Sequence, residues 1–300
     1  MLLTFERPPV QQKFDENDIR VMTLTRRQLC TEWKDTIHKP RKAEDKWTAV
    51  LPFSNTYKNA FQTMCPSIDA YPHEGSGGRL CIFLNSTAGD EKAPEEIVQW
   101  VETIGKPVAM KDFLALSFAM DYDREGGSPL KPQTPIGILR AHAKPYGGSA
   151  ATNETKKAAD DLADVCLAFL KEMTCYDSAD CVVAMPPSDP SKQYNLPQYL
   201  AERISELWGR ENLTQHVRTT KPRSSIKALP MAQKLDTLLG TIEVDENVFT
   251  GKKVLLVDDL YQSGISMNYC GLLLLNAGAQ KIFGLTCEKT CRNDDNVSGR

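Results

Sequence analysis

The chain has 300 residues, 36 of them basic and 39 acidic, for a net charge of −3, a balance that excludes a protein built as a whole to wrap nucleic acid. The hydrophobic set reaches 41%, which is right for an apolar core and excludes a disordered chain; the length suits one large domain or two of ordinary size. In the second half the longest strongly apolar run, Leu272 to Leu275, stops at Asn276, and the opening Met1 to Pro9 meets charge and proline too early for a secretory signal, so a soluble, cytoplasmic protein with no membrane attachment is expected. In chain order, residues 80–84 predict a short strand, and Pro94-Glu95-Glu96 opens a helix, with proline in the first turn and acids at the positive end of the dipole. Residues 125–135 (EGGSPLKPQTP) are too rich in glycine and proline for helix or strand. A linker is predicted at 126–135, separating a mixed α+β region, 1–125, from a better patterned domain, 136–300.

In that second part strands and helices alternate, the pattern of an α/β fold with a doubly wound, mainly parallel sheet. Apolar residues at steps of three and four from Ala159 to Leu170 predict a helix over 153–171. A strand over 181–185 must end at Pro186-Pro187, since proline cannot donate to a ladder. A helix over 196–208 and a second strand over 215–218 follow. Residues 254–257 (VLLV) are apolar on both faces and predict a central strand. A helix over 266–276, closed by Ala277-Gly278, and a fourth strand over 281–286 complete the pattern.

The segment that carries chemistry runs Val254-Leu255-Leu256-Val257-Asp258-Asp259-Leu260-Tyr261-Gln262-Ser263-Gly264-Ile265-Ser266. Ligands of open parallel sheets sit at the carboxyl ends of the strands, where this loop falls. Backbone N–H groups around Ser263, Gly264 and Ser266, at a helix N-terminus, suit a phosphate. Two adjacent carboxylates would repel phosphate and instead suit a vicinal diol and a hard cation. Sugar, phosphate and metal together describe a ribose phosphate.

The string resembles the ribose-phosphate signature of the type I phosphoribosyltransferases. Weaker likenesses point to ComF-type members: residues 182–192 (VVAMPPSDPSK), 229–240 (LPMAQKLDTLLG) and 144–148 (KPYGG), so that the resemblance covers about 135–289. It implies a pentosyltransferase that binds 5-phosphoribosyl 1-diphosphate with magnesium and passes the phosphoribosyl group to a nitrogenous acceptor. Asp258 and Asp259 would hold the ribose hydroxyls, stabilise charge on the sugar and attract the metal directly or through water. Gln262, Ser263, Gly264, Ile265 and Ser266 would cradle the 5-phosphate. Ser188 and Lys192 would hold diphosphate, with Lys221 or Arg223 closing over it. A homo-oligomer is expected.

The sequence departs from the family at Gln262, which cannot titrate where many members carry an acid, so general acid/base help is absent there. It also lacks any C-x-x-C pair for the zinc ribbon of ComF-type proteins, although there are nine cysteines. The four histidines (38, 73, 142, 216) show no metal spacing, with His142 set apart only by its closeness to Lys144. His73 to Gly78 (HEGSGG) reads as a surface loop. Two alternatives stay open: a non-catalytic nucleotide sensor, and an effector modifying nucleotides or a macromolecule, with residues 1–125 as a protein-binding region. Six basic residues against one acid between Arg210 and Lys234 leave a nucleic-acid contact open as well.

Overall fold

The computed structural model describes residues 11–24, 30–31, 41–43, 46–54, 57–66, 70–74, 79–84, 92–145, 150–223, 226, 229 and 231–291. Its elements begin with α1 (Glu16–Leu24), β1 (Cys30–Thr31), β2 (Arg41–Ala43), β3 (Lys46–Ser54), α2 (Lys58–Met64), β4 (Ala70–Glu74) and β5 (Arg79–Leu84). There follow α3 (Lys92–Ile104), β6 (Val108–Met110), β7 (Leu116–Tyr122), α4 (Pro135–His142), α5 (Asn153–Glu172) and β8 (Cys181–Ala184). The rest are α6 (Leu196–Trp208), β9 (Glu211–Asn212), β10 (Val217–Thr219), α7 (Met231–Leu238), β11 (Ile242–Val244), β12 (Lys253–Tyr261), α8 (Ile265–Asn276) and β13 (Lys281–Lys289).

Residues 254–257 are buried on both faces, and β12 accordingly takes an interior place, between β13 and β8, in a seven-stranded sheet ordered β1-β6-β7-β13-β12-β8-β9. The pairs β7·β13, β13·β12, β12·β8 and β8·β9 are parallel, while β6·β7 and β1·β6 are antiparallel. Leu255 and Val257 join one apolar cluster with residues of α2, α3, α5 and α6. Val254 and Leu256 join a second cluster with residues of α1, α7 and α8. Helices therefore cover both faces, as a doubly wound α/β sheet requires. Among the described residues no helix is long and apolar enough to cross a membrane.

Local chemistry explains where the helices start. Thr134 caps α4 by accepting from the Gly137 N–H at 3.1 Å, so the turn-rich stretch after 125 ends as a helix cap. Thr152 caps α5, and Asn195 caps α6 ahead of Pro197 in its first turn. Gly209, in the left-handed conformation, ends α6.

Three expectations change. The 126–135 stretch does not separate two units, because β7, which precedes it, pairs with β13 from Phe283↔Leu116 to Lys289↔Tyr122. Phe61, Ile97, Trp100 and Phe118 share a core with Phe283, Leu285 and Val257, so the central sheet draws on both halves of the chain. The strand expected at 215–218 is β10, which leaves the main sheet to pair antiparallel with β11. Finally β12 runs through the two acids to Tyr261, where the apolar pattern alone had it end at Val257. Residues 80–84 do form a strand, within an antiparallel sheet ordered β2-β3-β5-β4.

A chain truncated to residues 126–300 loses β6 and β7 and bares the edge of β13. Leu116, Phe118 and Met120 each bury a side chain worth about 2 kcal/mol, against a total stability on the order of 5–15 kcal/mol. The truncated chain is expected to aggregate or to show no cooperative urea transition by circular dichroism. A two-state transition with native helix content would show that the second half folds alone.

Candidate active site

After β8 the chain turns outward through α6 to β9 at the sheet edge, and it returns as β12 on the other side of β8. The helices that follow these two strands, α6 and α8, lie on opposite faces. Neighbouring strands whose connections leave in opposite directions open a crevice at their carboxyl ends. A cleft of about 1050 Å³ lies there, lined by residues 185–189 and 191–197 after β8 and by 258–264, Ser266 and Met267 at the end of β12. Lys144, Lys156 and Arg223 add positive charge to its wall. The N-termini of α6 and α8 both open on it, so backbone N–H groups and helix dipoles favour an anion.

The turn before α8 has the form its sequence suggested. Gly264 adopts φ 72°, and a Cβ there would fall 2.1 Å from the Tyr261 hydroxyl oxygen, so both conformation and space require glycine. Gln262, Ser263, Gly264 and Ser266 line the cleft; Ile265 does not, being fully buried in the core under α8. Its contribution is confined to the backbone of the first helical turn.

The two acids divide between the faces of β12, because successive residues of a strand point to opposite sides. Asp259 follows the parity of Leu255 and Val257 and meets α4. Its Oδ2 accepts from Arg140 Nε at 3.0 Å and from Lys144 Nζ at 2.6 Å. Arg140 also reaches Glu288 Oε1 at 2.9 Å. Asp258 follows Val254 and Leu256, and its Oδ1 accepts from the Asp259 N–H at 2.8 Å. Burial and the neighbouring Asp259 charge push the Asp258 carboxyl up to about 7, and burial, opposed by Arg140, lifts Glu288 to about 7. The two expected ribose ligands are thus unlike: one is an ion-paired carboxylate, the other a carboxyl that titrates near neutrality.

The second loop is equally fixed. Ser188 and Lys192 line the cleft, and Asp189 folds the turn by accepting from the Ser191 N–H and hydroxyl. Arg223, expected on a closing loop, is instead a strut. Its N–H donates to Ser188 O at 2.9 Å and its guanidinium to Pro186 O at 3.1 Å and Thr241 Oγ1 at 3.3 Å. Lys221 is exposed and does not line the cleft, and neither does the exposed His142. Other basic residues of 210–234 are dispersed: Arg210 packs over Trp208, Arg218 pairs with Glu243 and Asp245, and Lys234 is fully buried. They do not form one surface patch. Residues 146–148, Lys227, His38 and the 75–78 part of the glycine-rich loop lie outside the described residues.

Among the described residues no three His, Cys, Asp or Glu side chains come together as a metal site. With Asp259 held by two cations, the carboxylates do not fit a resident magnesium ion.

Arg140, Glu288 and Asp112 escaped the sequence reading. An arginine directly after the apolar run PIGIL of α4 is a usable signal for a buried ion pair, whereas Asp112 stands in no motif. No known protein-family model matches the chain, and no curated protein matches it.

The raised Asp258 carboxyl has a consequence for stability. An acid whose folded pKa exceeds its unfolded one favours the fold at low pH, and that advantage is lost as pH rises through the folded value. For Asp258 the window runs from the ordinary 3.8 to about 7. Asp258→Asn removes this titration, so its stability relative to wild type is expected to rise by about 1–3 kcal/mol between pH 4 and 8. Urea melts across that range measure the difference, and a constant offset would place the titration elsewhere.

Proposed function

We propose that the chain is a phosphoribosyltransferase-like enzyme of the type I kind, binding 5-phosphoribosyl 1-diphosphate with magnesium and transferring the phosphoribosyl group to a nitrogenous acceptor. One observation carries the reading: an anion-binding turn, an acidic pair and a second polar loop, separated by some 70 residues of sequence, share one cleft at the sheet's switch point. The 5-phosphate takes the N–H groups of the 262–266 turn and the hydroxyls of Ser263 and Ser266. Ribose lies over Asp258 and Asp259, whose negative charge opposes the positive charge that grows on the sugar as the leaving group departs. Diphosphate lies against Ser188 and Lys192 at the α6 N-terminus, where Arg223 is a fixed cation. Magnesium, when bound, supplies charge neutralisation on that diphosphate. The bond from the anomeric carbon to diphosphate breaks as the bond to the acceptor nitrogen forms.

A second reading, a nucleotide sensor, draws on Asp259. Its carboxylate is already engaged by Arg140 and Lys144, and Gln262 offers no proton chemistry.

Calorimetric titration with 5-phosphoribosyl 1-diphosphate and magnesium, with diphosphate release followed across a panel of nitrogenous acceptors, tests both. Wild type is expected to bind, and Asp258→Asn/Asp259→Asn to bind at least about tenfold more weakly, since each lost charge-assisted hydrogen bond costs about that factor. Release with any acceptor supports the enzyme; binding without release supports the sensor; absence of binding by wild type overturns both.

A further inference from the structure

The floor of the anion turn is supplied by residues far upstream. Asp112, half-buried in the bend between β6 and β7, accepts from the Leu114 N–H and the Ser117 hydroxyl through Oδ1, both at 3.1 Å. Through Oδ2 it accepts from the Tyr261 hydroxyl at 3.2 Å. That hydroxyl oxygen lies directly beneath Gly264, at the point where a Cβ would clash. Beside it the fully buried Asn268 ties the same two segments. Its Oδ1 accepts from the Phe113 N–H at 3.0 Å, and its Nδ2 donates to Gly264 O at 2.8 Å.

The bend is held from its other side too. Gln11 donates to Phe113 O at 2.9 Å and accepts from the Ile282 N–H at 3.0 Å, and Phe14 stacks on Phe113 with ring centroids 5.1 Å apart. Residues 11–14 and 112–114 therefore form a solid backing for the turn.

We propose that Asp112 is a positioning residue for the 262–266 turn: acting through Tyr261, it sets the height and orientation of the turn, so that the N-terminal half of the chain governs affinity for the sugar's phosphate ester. The inference rests on the reading of the cleft given above. Its sign separates it from simple electrostatics. A carboxylate beneath an anion site repels the ligand, so on charge alone Asp112→Asn would tighten binding. Asparagine keeps an oxygen for Leu114 and Ser117 but replaces with an NH₂ group the oxygen to which Tyr261 donates. Loss of that alignment weakens binding.

The full-length protein and its Asp112→Asn, Tyr261→Phe and double variants are titrated by calorimetry with ribose 5-phosphate and, separately, with inorganic diphosphate. Each single variant is expected to bind ribose 5-phosphate about tenfold more weakly, the scale of one hydrogen bond to a charged group. The double variant is expected to be no worse than the weaker single, because the two residues act through one contact. Diphosphate affinity is expected to stay within about twofold, the spread of independent sites. Unchanged or tighter ribose 5-phosphate binding by a folded Asp112→Asn variant, or additive losses in the double, overturns the inference while the reading of the cleft stands. Wild type that binds neither ligand overturns that reading, and the inference with it. Should Asp112→Asn fail to fold, Tyr261→Phe carries the same comparison.

Discussion

The arrangement of this protein depends on one strand that is buried on both faces and yet ends in charge. Residues 254–257 have no polar face, so β12 can sit only in the interior of the sheet, and its neighbours β8 and β13 follow. Because the strand continues through Asp258, Asp259 and Tyr261 before it turns, it delivers three polar side chains to the crevice and beneath it. Period-two alternation then sends Asp259 toward α4 and Asp258 toward the α8 face. A strand that stopped at Val257 would leave both acids on a loop, free to act as an equivalent pair.

Burial decides how these charges behave. Asp259 is nearly enclosed and could not remain ionised without partners; Arg140 and Lys144 supply them. Among the described residues Asp258 has no comparable cation at hydrogen-bond distance, and burial with the neighbouring Asp259 charge raises its carboxyl toward neutrality. Arg140, shared between Asp259 and Glu288, couples the end of β12 to the end of β13. The cleft thus presents a rim of positive charge and helix N-termini, with Lys144, Lys156, Lys192 and Arg223, around an acidic floor whose charge is partly neutralised.

Much of the second half was legible in the sequence because its signals are local. The helix over 196–208, the stop at Pro186-Pro187, the amphipathic run of α5 and the glycine turn at 264 are each written within a few residues, and the structure contains each of them. Non-local relations were harder to see. The EGGSPLKPQTP stretch has a linker's composition, and nothing in it tells that β7, just upstream, pairs with β13 some 160 residues later. Arg223 has the composition of a mobile basic loop, and only its contacts to Pro186, Ser188 and Thr241 make it a strut.

By itself the sequence determined the alternation of strands and helices, the interior placement of the VLLV strand and a tight turn with glycine at 264. These depend on side-chain periodicity and backbone conformation, which neighbouring residues dictate. Only the tertiary structure decided that the first half completes the sheet, that Arg140 and Lys144 neutralise Asp259, and that Asp112 reaches Tyr261. Those facts depend on which distant segments are brought within hydrogen-bond distance, a choice made when both faces of one sheet are buried together.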